Sequence, residues 1–205
     1  MGRENIRADQ SIYEYMVENL DDEFIKENLN LLSYDGSGRN VYALSNNIVV
    51  KLAKSETGKK QNQNEFYVYE QVSNYQKMKD SMILSDIAGI CEDEIIQEDR
   101  RVNIARNLQN IIATVYAISN SEEILLMERL VGSCNGSIDT TNPAVKLLIQ
   151  KFSLYVPDIE SKGSWMCDED NNNKLVDYGC TDEIAEDVDF TSDILNAIHD
   201  ENNQY

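Results

Sequence analysis

The stretch Leu31 to Lys54, LLSYDGSGRNVYALSNNIVVKLAK, carries the pattern on which the fold turns. A glycine-bearing turn sits between strand-like stretches. After it, Val41-Tyr42-Ala43-Leu44 and Ile48-Val49-Val50 flank the polar break Ser45-Asn46-Asn47. β-Forming side chains on both sides of a short polar turn predict a hairpin. Toward the N-terminus, Ile12, Met16 and Leu20, then Phe24, Ile25 and Leu29, recur at helical spacings, so one broken helix or two short ones are expected. Toward the C-terminus, Glu65, Tyr69 and Val72 share one helical face with Phe66 beside them, which predicts a helix over about residues 59–79. A second hairpin is predicted where ATVYAIS and ILLMERL, within residues 113–130, flank the polar turn NSEE. Two hairpins around a helix, followed by a mostly helical chain, predict an α+β structure in two lobes, with an antiparallel sheet in the smaller one.

A chain of 205 residues is long enough for one good-sized core or two small lobes sharing a cleft. With 41% hydrophobic and 27% charged residues, the composition is globular and argues against wholesale disorder. Lys and Arg number 18 against 37 Asp and Glu, a net charge of -19. Such a field repels phosphate backbones and anionic membranes, which argues against direct nucleic-acid binding and membrane attachment unless a local basic patch intervenes. No apolar run reaches the roughly 20 residues of a membrane span, and MGRENIRADQ has no signal-peptide core, so a cytoplasmic location is expected.

Cys91, Cys134, Cys167 and Cys180 show neither C-x-x-C pairing nor histidines at zinc spacing, and they read as idle thiols. The single histidine, His199, argues against a histidine-centred triad. The polar run VGSCNGSIDTTN precedes PAVKLLIQKFSLY, a helical pattern with Pro143 placed for a first turn. Residues 1–30 are therefore read as an N-terminal helical segment. Residues 31–130 form the small lobe, with an insertion near 80–111, and 131–205 a short acidic second lobe. From Pro157 onward 14 acidic residues face only Lys162 and Lys174, and TDEIAEDVDFTSDILNAIHD reads as a short acidic helix.

Taken in order, these elements resemble the protein-kinase-like fold, and especially the small, divergent kinase-like proteins encoded by bacterial viruses, over roughly Leu31 to Thr181. Gly36-Ser37-Gly38 is similar to the glycine-rich loop, whose missing side chains let backbone N–H groups approach a triphosphate; the third glycine is absent. Lys51, ending Ile48-Val49-Val50, resembles the lysine that clamps the α- and β-phosphates, and Glu65, 14 residues on, is its implied helix partner. The resemblance makes Met127 the gatekeeper and has Glu128 to Leu130 offer backbone groups to an adenine edge.

Leu175-Val176-Asp177-Tyr178-Gly179 resembles the Asp-Phe-Gly motif, in which an apolar strand delivers one carboxylate to Mg²⁺ and the glycine permits a sharp turn. Asp158, 19 residues before Asp177, is the candidate base, although the usual His-Arg is missing. Gly163 stands where a metal-binding asparagine is expected; Ser164 is the equivalent if one residue is inserted, and serine is the poorer ligand. The 26 residues after Gly179 are fewer than an activation segment and peptide-holding platform require, so the resemblance implies a truncated second lobe.

The implied function is a minimal ATP- and Mg²⁺-dependent phosphotransferase acting on itself or on a dedicated protein partner, with nucleotide binding that needs the metal. The alternative is a pseudokinase working through protein contacts. A third reading is an acidic inhibitor whose carboxylates imitate a phosphate track and occupy the basic groove of a host nucleic-acid-binding system.

Overall fold

The computed structural model describes residues 3–33, 38–83, 108, 110–133 and 142–180. Gly36, Ser37, Cys91, Cys134, His199, nearly all of the expected insertion and the acidic segment after Cys180 lie outside the described residues.

Two helices open the chain, α1 (Arg3–Asn19) and α2 (Asp22–Asn28), and the break falls where the Asp21 side chain caps α2 by accepting from the Phe24 N–H. Strands β1 (Asn30–Ser33), β2 (Arg39–Ala43) and β3 (Ile48–Ala53) follow, then the long helix α3 (Glu56–Ile83). The second hairpin is β4 (Val115–Ile118) with β5 (Ile124–Glu128). These five strands form one sheet in the order β1-β2-β3-β5-β4, and every pairing is antiparallel. The fold is thus α+β with an antiparallel sheet.

The later chain holds α4 (Pro143–Phe152), the single turn α5 (Val156–Ile159) and a 3-10 turn at Lys162–Ser164. Strands β6 (Gly132–Ser133), β7 (Trp165–Cys167) and β8 (Asn173–Leu175) make a second small sheet. The mostly helical expectation for this region did not include β6 and β7, whose two or three residues are too few to show an alternating pattern, whereas β8 ends at Leu175 of the apolar strand expected before Asp177. The small sheet is joined to the segment leading into the second hairpin by the Ala113 N–H, which donates to the Leu175 carbonyl at 2.9 Å.

The sheet is covered on both faces. Tyr42, Val50, Leu52, Ile124 and Leu126 pack against Val17 of α1 and Ile25 of α2. Val49, Leu125 and Met127 on the other face join Val68 and Val72 of α3, and this core runs on into Leu148, Phe152, Ile159, Trp165 and Tyr178. Double coverage is why β3 reads as a continuous apolar run, interrupted only by Lys51. On α1 and α2 the buried stripe runs through Val17 and Ile25, leaving Ile12 and Phe24 about half exposed (53% and 45%).

Candidate functional site

Strand register decides which side chains reach the inner face. Val41 stands opposite Lys51 and Arg39 opposite Ala53, so Arg39, Val41 and Lys51 project from the same side of the β2–β3 pair. That side faces α3, which presents Glu65, a fully buried carboxylate. Lys51 Nζ meets both Glu65 oxygens at 2.8 Å and the Val176 carbonyl at 2.5 Å. An ammonium has three protons to donate, and here three acceptors take them.

Arg39 completes the cluster. One of its terminal nitrogens donates to Glu65 Oε1 at 2.9 Å and to Asp177 Oδ1 at 2.7 Å, and the other donates to Asn62 Oδ1 at 3.2 Å. Asn62 is itself anchored, its Nδ2 donating to the carbonyls of Glu122 and Glu123 in the β4–β5 turn. Two cations and two carboxylates thus balance in a nearly dry space, open to solvent only at Asp177, which is 50% exposed. Burial alone would push the Glu65 carboxyl up, but Arg39 and then Lys51 outweigh it and hold the group below its ordinary value. Arg39 likewise keeps its proton more firmly than usual, because Glu65 and Asp177 outweigh the cost of burial.

Asp177 and its neighbours are fixed to α3. The Tyr178 N–H donates to Glu65 Oε1 at 3.2 Å, and Asn64 Nδ2 donates to the Gly179 carbonyl at 2.9 Å. The expected use of Gly179, a sharp turn, is corrected in one respect: its φ is not in the left-handed region. Its glycine is needed for close approach, since a Cβ there would stand 2.5 Å from the Gln61 carbonyl of α3.

Asp158 lies on α5 and is half-buried; its carboxylate is hydrogen-bonded to the Cys180 thiol, which also accepts from Gln61 Nε2 at 2.9 Å. Burial first, and then the Asp158 carboxylate, push that thiol up to about 11. At pH 8 its thiolate fraction is therefore about a hundredfold below that of an ordinary thiol. Iodoacetamide should modify Cys180 correspondingly slowly, and Asp158→Asn should speed the reaction, as followed by mass spectrometry of the Cys180 peptide. Labelling of the parent protein at the rate of a free thiol would contradict this contact.

The remaining expected residues are placed less favourably for the roles the resemblance implies. Glu128 spends its N–H on the Thr114 carbonyl, and its side chain pairs with Lys174 at 2.9 Å. Arg129 gives its N–H to the Asn47 carbonyl, which leaves Leu130 as the residue of 128–130 whose backbone groups make no backbone hydrogen bond among the described residues. Met127 is fully buried beside them. Gly38 packs on Gly58 of α3 and accepts from the Lys54 N–H at 2.8 Å, so its missing side chain serves helix packing. Ser164 enters through its carbonyl, which accepts from the Val176 N–H at 2.7 Å, while its side chain is buried. A depression of about 280 Å³, lined by Thr57, Gln61, Asn64, Tyr155 and Cys180 among others, lies on the α3 side of Gly179 and includes none of residues 127–130.

The Mg²⁺ expectation does not fit this arrangement. The Asp177 carboxylate is engaged by a guanidinium, and no group of three or more His, Cys, Asp or Glu able to hold a metal occurs among the described residues. The sequence assigns no role to Arg39 or Asn62, and it reads Cys180 as an idle thiol. The one available signal for Arg39 was its alternation with Val41 on a strand otherwise facing the core.

The antiparallel sheet, the helix that follows the Lys51 strand and the meeting of Lys51, Glu65 and Asp177 agree with what the resemblance to kinase-like folds implies. No protein-family profile matches the chain, and no curated protein matches it. Among solved structures it is similar to a ternary complex of streptomycin, ATP and APH(2″)-IIa, with 13% identity and a TM-score of 0.36 over 82% of this chain and 70% of that one. It is also similar to the bifunctional kinase-methyltransferase WbdD, with 12% identity and a TM-score of 0.36 over 84% of this chain; the match spans only 37% of WbdD. No helix among the described residues is long and apolar enough to cross a membrane.

Proposed function

We propose that this chain is a nucleotide-binding, kinase-like phosphotransferase with ATP as donor, acting on itself or on one dedicated protein partner. The observation that carries the reading is the convergence of Lys51 from β3, Glu65 from α3 and Asp177 from the turn after β8, residues far apart in sequence, on one buried cluster. Phosphoryl transfer depends mainly on positioning and on stabilising charge. Glu65 holds the two cations, Lys51 releases the Val176 carbonyl to meet phosphate oxygens, and the Leu130 backbone is left for the adenine edge. The acceptor oxygen bonds to the γ-phosphorus as the bond to the nucleoside diphosphate breaks, and Asp158 takes the hydroxyl proton. Kinship with viral kinase-like proteins and a cytoplasmic setting belong to the same proposal.

Two measurements test it. ATP at millimolar concentration should raise the melting temperature, and labelled phosphate should transfer to the protein itself or to a co-purifying partner. Asp158→Ala should abolish transfer while leaving nucleotide affinity nearly unchanged, because an acceptor-side carboxylate contributes to the transition state more than to ATP binding. Full transfer by Asp158→Ala would refute the assigned mechanism. A pseudokinase is the second reading, favoured by one observation: all three Lys51 protons have acceptors within the protein and Asp177 Oδ1 is already paired with Arg39. Nucleotide binding without any label transfer would decide for it.

A further inference from the structure

We infer that Arg39 is the resident cation of this cleft: its guanidinium, bridging Glu65 and Asp177, brings to the Asp177 carboxylate the positive charge that a divalent ion would supply, so Asp177 binds no divalent metal. The inference rests on the reading above only in giving Asp177 the metal position. Three observations carry it. A single Arg39 nitrogen bridges Glu65 Oε1 and Asp177 Oδ1, at 2.9 and 2.7 Å, which ties the helix carboxylate to the one after β8. The planar fork suits such bridging, where a lysine would offer one compact charge.

Arg39 is also not a casual surface partner. Only 6% of it is exposed, and Asn62, tied to the β4–β5 turn, receives its other terminal nitrogen. Finally, Arg39 and Lys51 already neutralise Glu65 and Asp177. A divalent ion at Asp177 would leave an excess of two positive charges beside a buried guanidinium. An anionic ligand entering this cleft therefore meets arginine and lysine in place of a metal.

Mn²⁺ alone is the probe, titrated without nucleotide and read by electron paramagnetic resonance, so failure of nucleotide binding does not touch the result. The acidic surface will hold Mn²⁺ diffusely, and the decisive quantity is the part that depends on Asp177. In the parent protein, Asp177→Asn should leave the Mn²⁺ isotherm unchanged. Arg39→Met should create one site, at least about tenfold tighter than the diffuse binding, because it removes a charge adjacent to the carboxylate. Adding Asp177→Asn to Arg39→Met should remove that site. Loss of a Mn²⁺ site on Asp177→Asn in the parent overturns the inference, and so does a folded Arg39→Met that gains none. Should Arg39→Met fail to fold, the comparison of parent with Asp177→Asn still decides, because it needs no change at Arg39.

Discussion

Glu65→Ala is expected to lower the unfolding free energy by about 3–5 kcal/mol, the cost of stranding a buried charge by removing its partner. The Glu65 side chain is fully buried and accepts from Arg39, from Lys51 through both oxygens and from the Tyr178 N–H. Without it, two buried cations share the half-exposed Asp177 carboxylate and the Val176 carbonyl. Marginal stability makes a loss of that size a large fraction of a total of roughly 5–15 kcal/mol. Urea denaturation measures it, and a loss below about 1 kcal/mol would mean that these groups do not meet in the core.

Combining Glu65→Leu with Lys51→Met should recover part of the loss, since replacing both partners with apolar groups removes the desolvation cost with the attraction. Because the folded-state value of Glu65 is held below its ordinary 4.5, the stability it contributes is fully present above 4.5 and is lost as pH falls through the lowered value. Glu65→Ala should therefore flatten the acid limb of the stability profile as well as lower its plateau.

Gly58→Ala should destabilise the protein by about 2 kcal/mol although it exchanges a poor helix former for the best one, a change that on propensity alone would gain about 1 kcal/mol. Gly58 lies in the first turn of α3, and a Cβ there would collide with the Gly38 carbonyl oxygen. The Gly38 carbonyl carbon would be 3.0 Å away and the Ala53 Cα 3.1 Å away. All three obstacles are backbone atoms, which cannot rotate aside. The turn before β2 would have to move, and Arg39, the next residue, with it. Differential scanning calorimetry of Gly58→Ala against the parent gives the result; an unchanged or higher melting temperature would show that the turn and α3 are not in this contact.

Local pattern determined much of this protein. Both hairpins, the helix around Glu65 and the placement of Lys51 at the apolar third strand followed from β-forming runs, polar breaks and helical spacing, all of which act over a few residues. Short range was also the limit of that reading. Arg39 looks like any polar residue opening a strand, and its burial is decided by Glu65, 26 residues on, and by Asp177, 138 residues on. Gly58 gives no sign in sequence of the backbone it touches. The β6-β7-β8 sheet has strands of two or three residues, too few for a period to register. Charge pairing, close backbone approach and the satisfaction of buried donors are settled only when distant segments meet. It was therefore the tertiary structure that turned an expected metal carboxylate into the partner of an arginine.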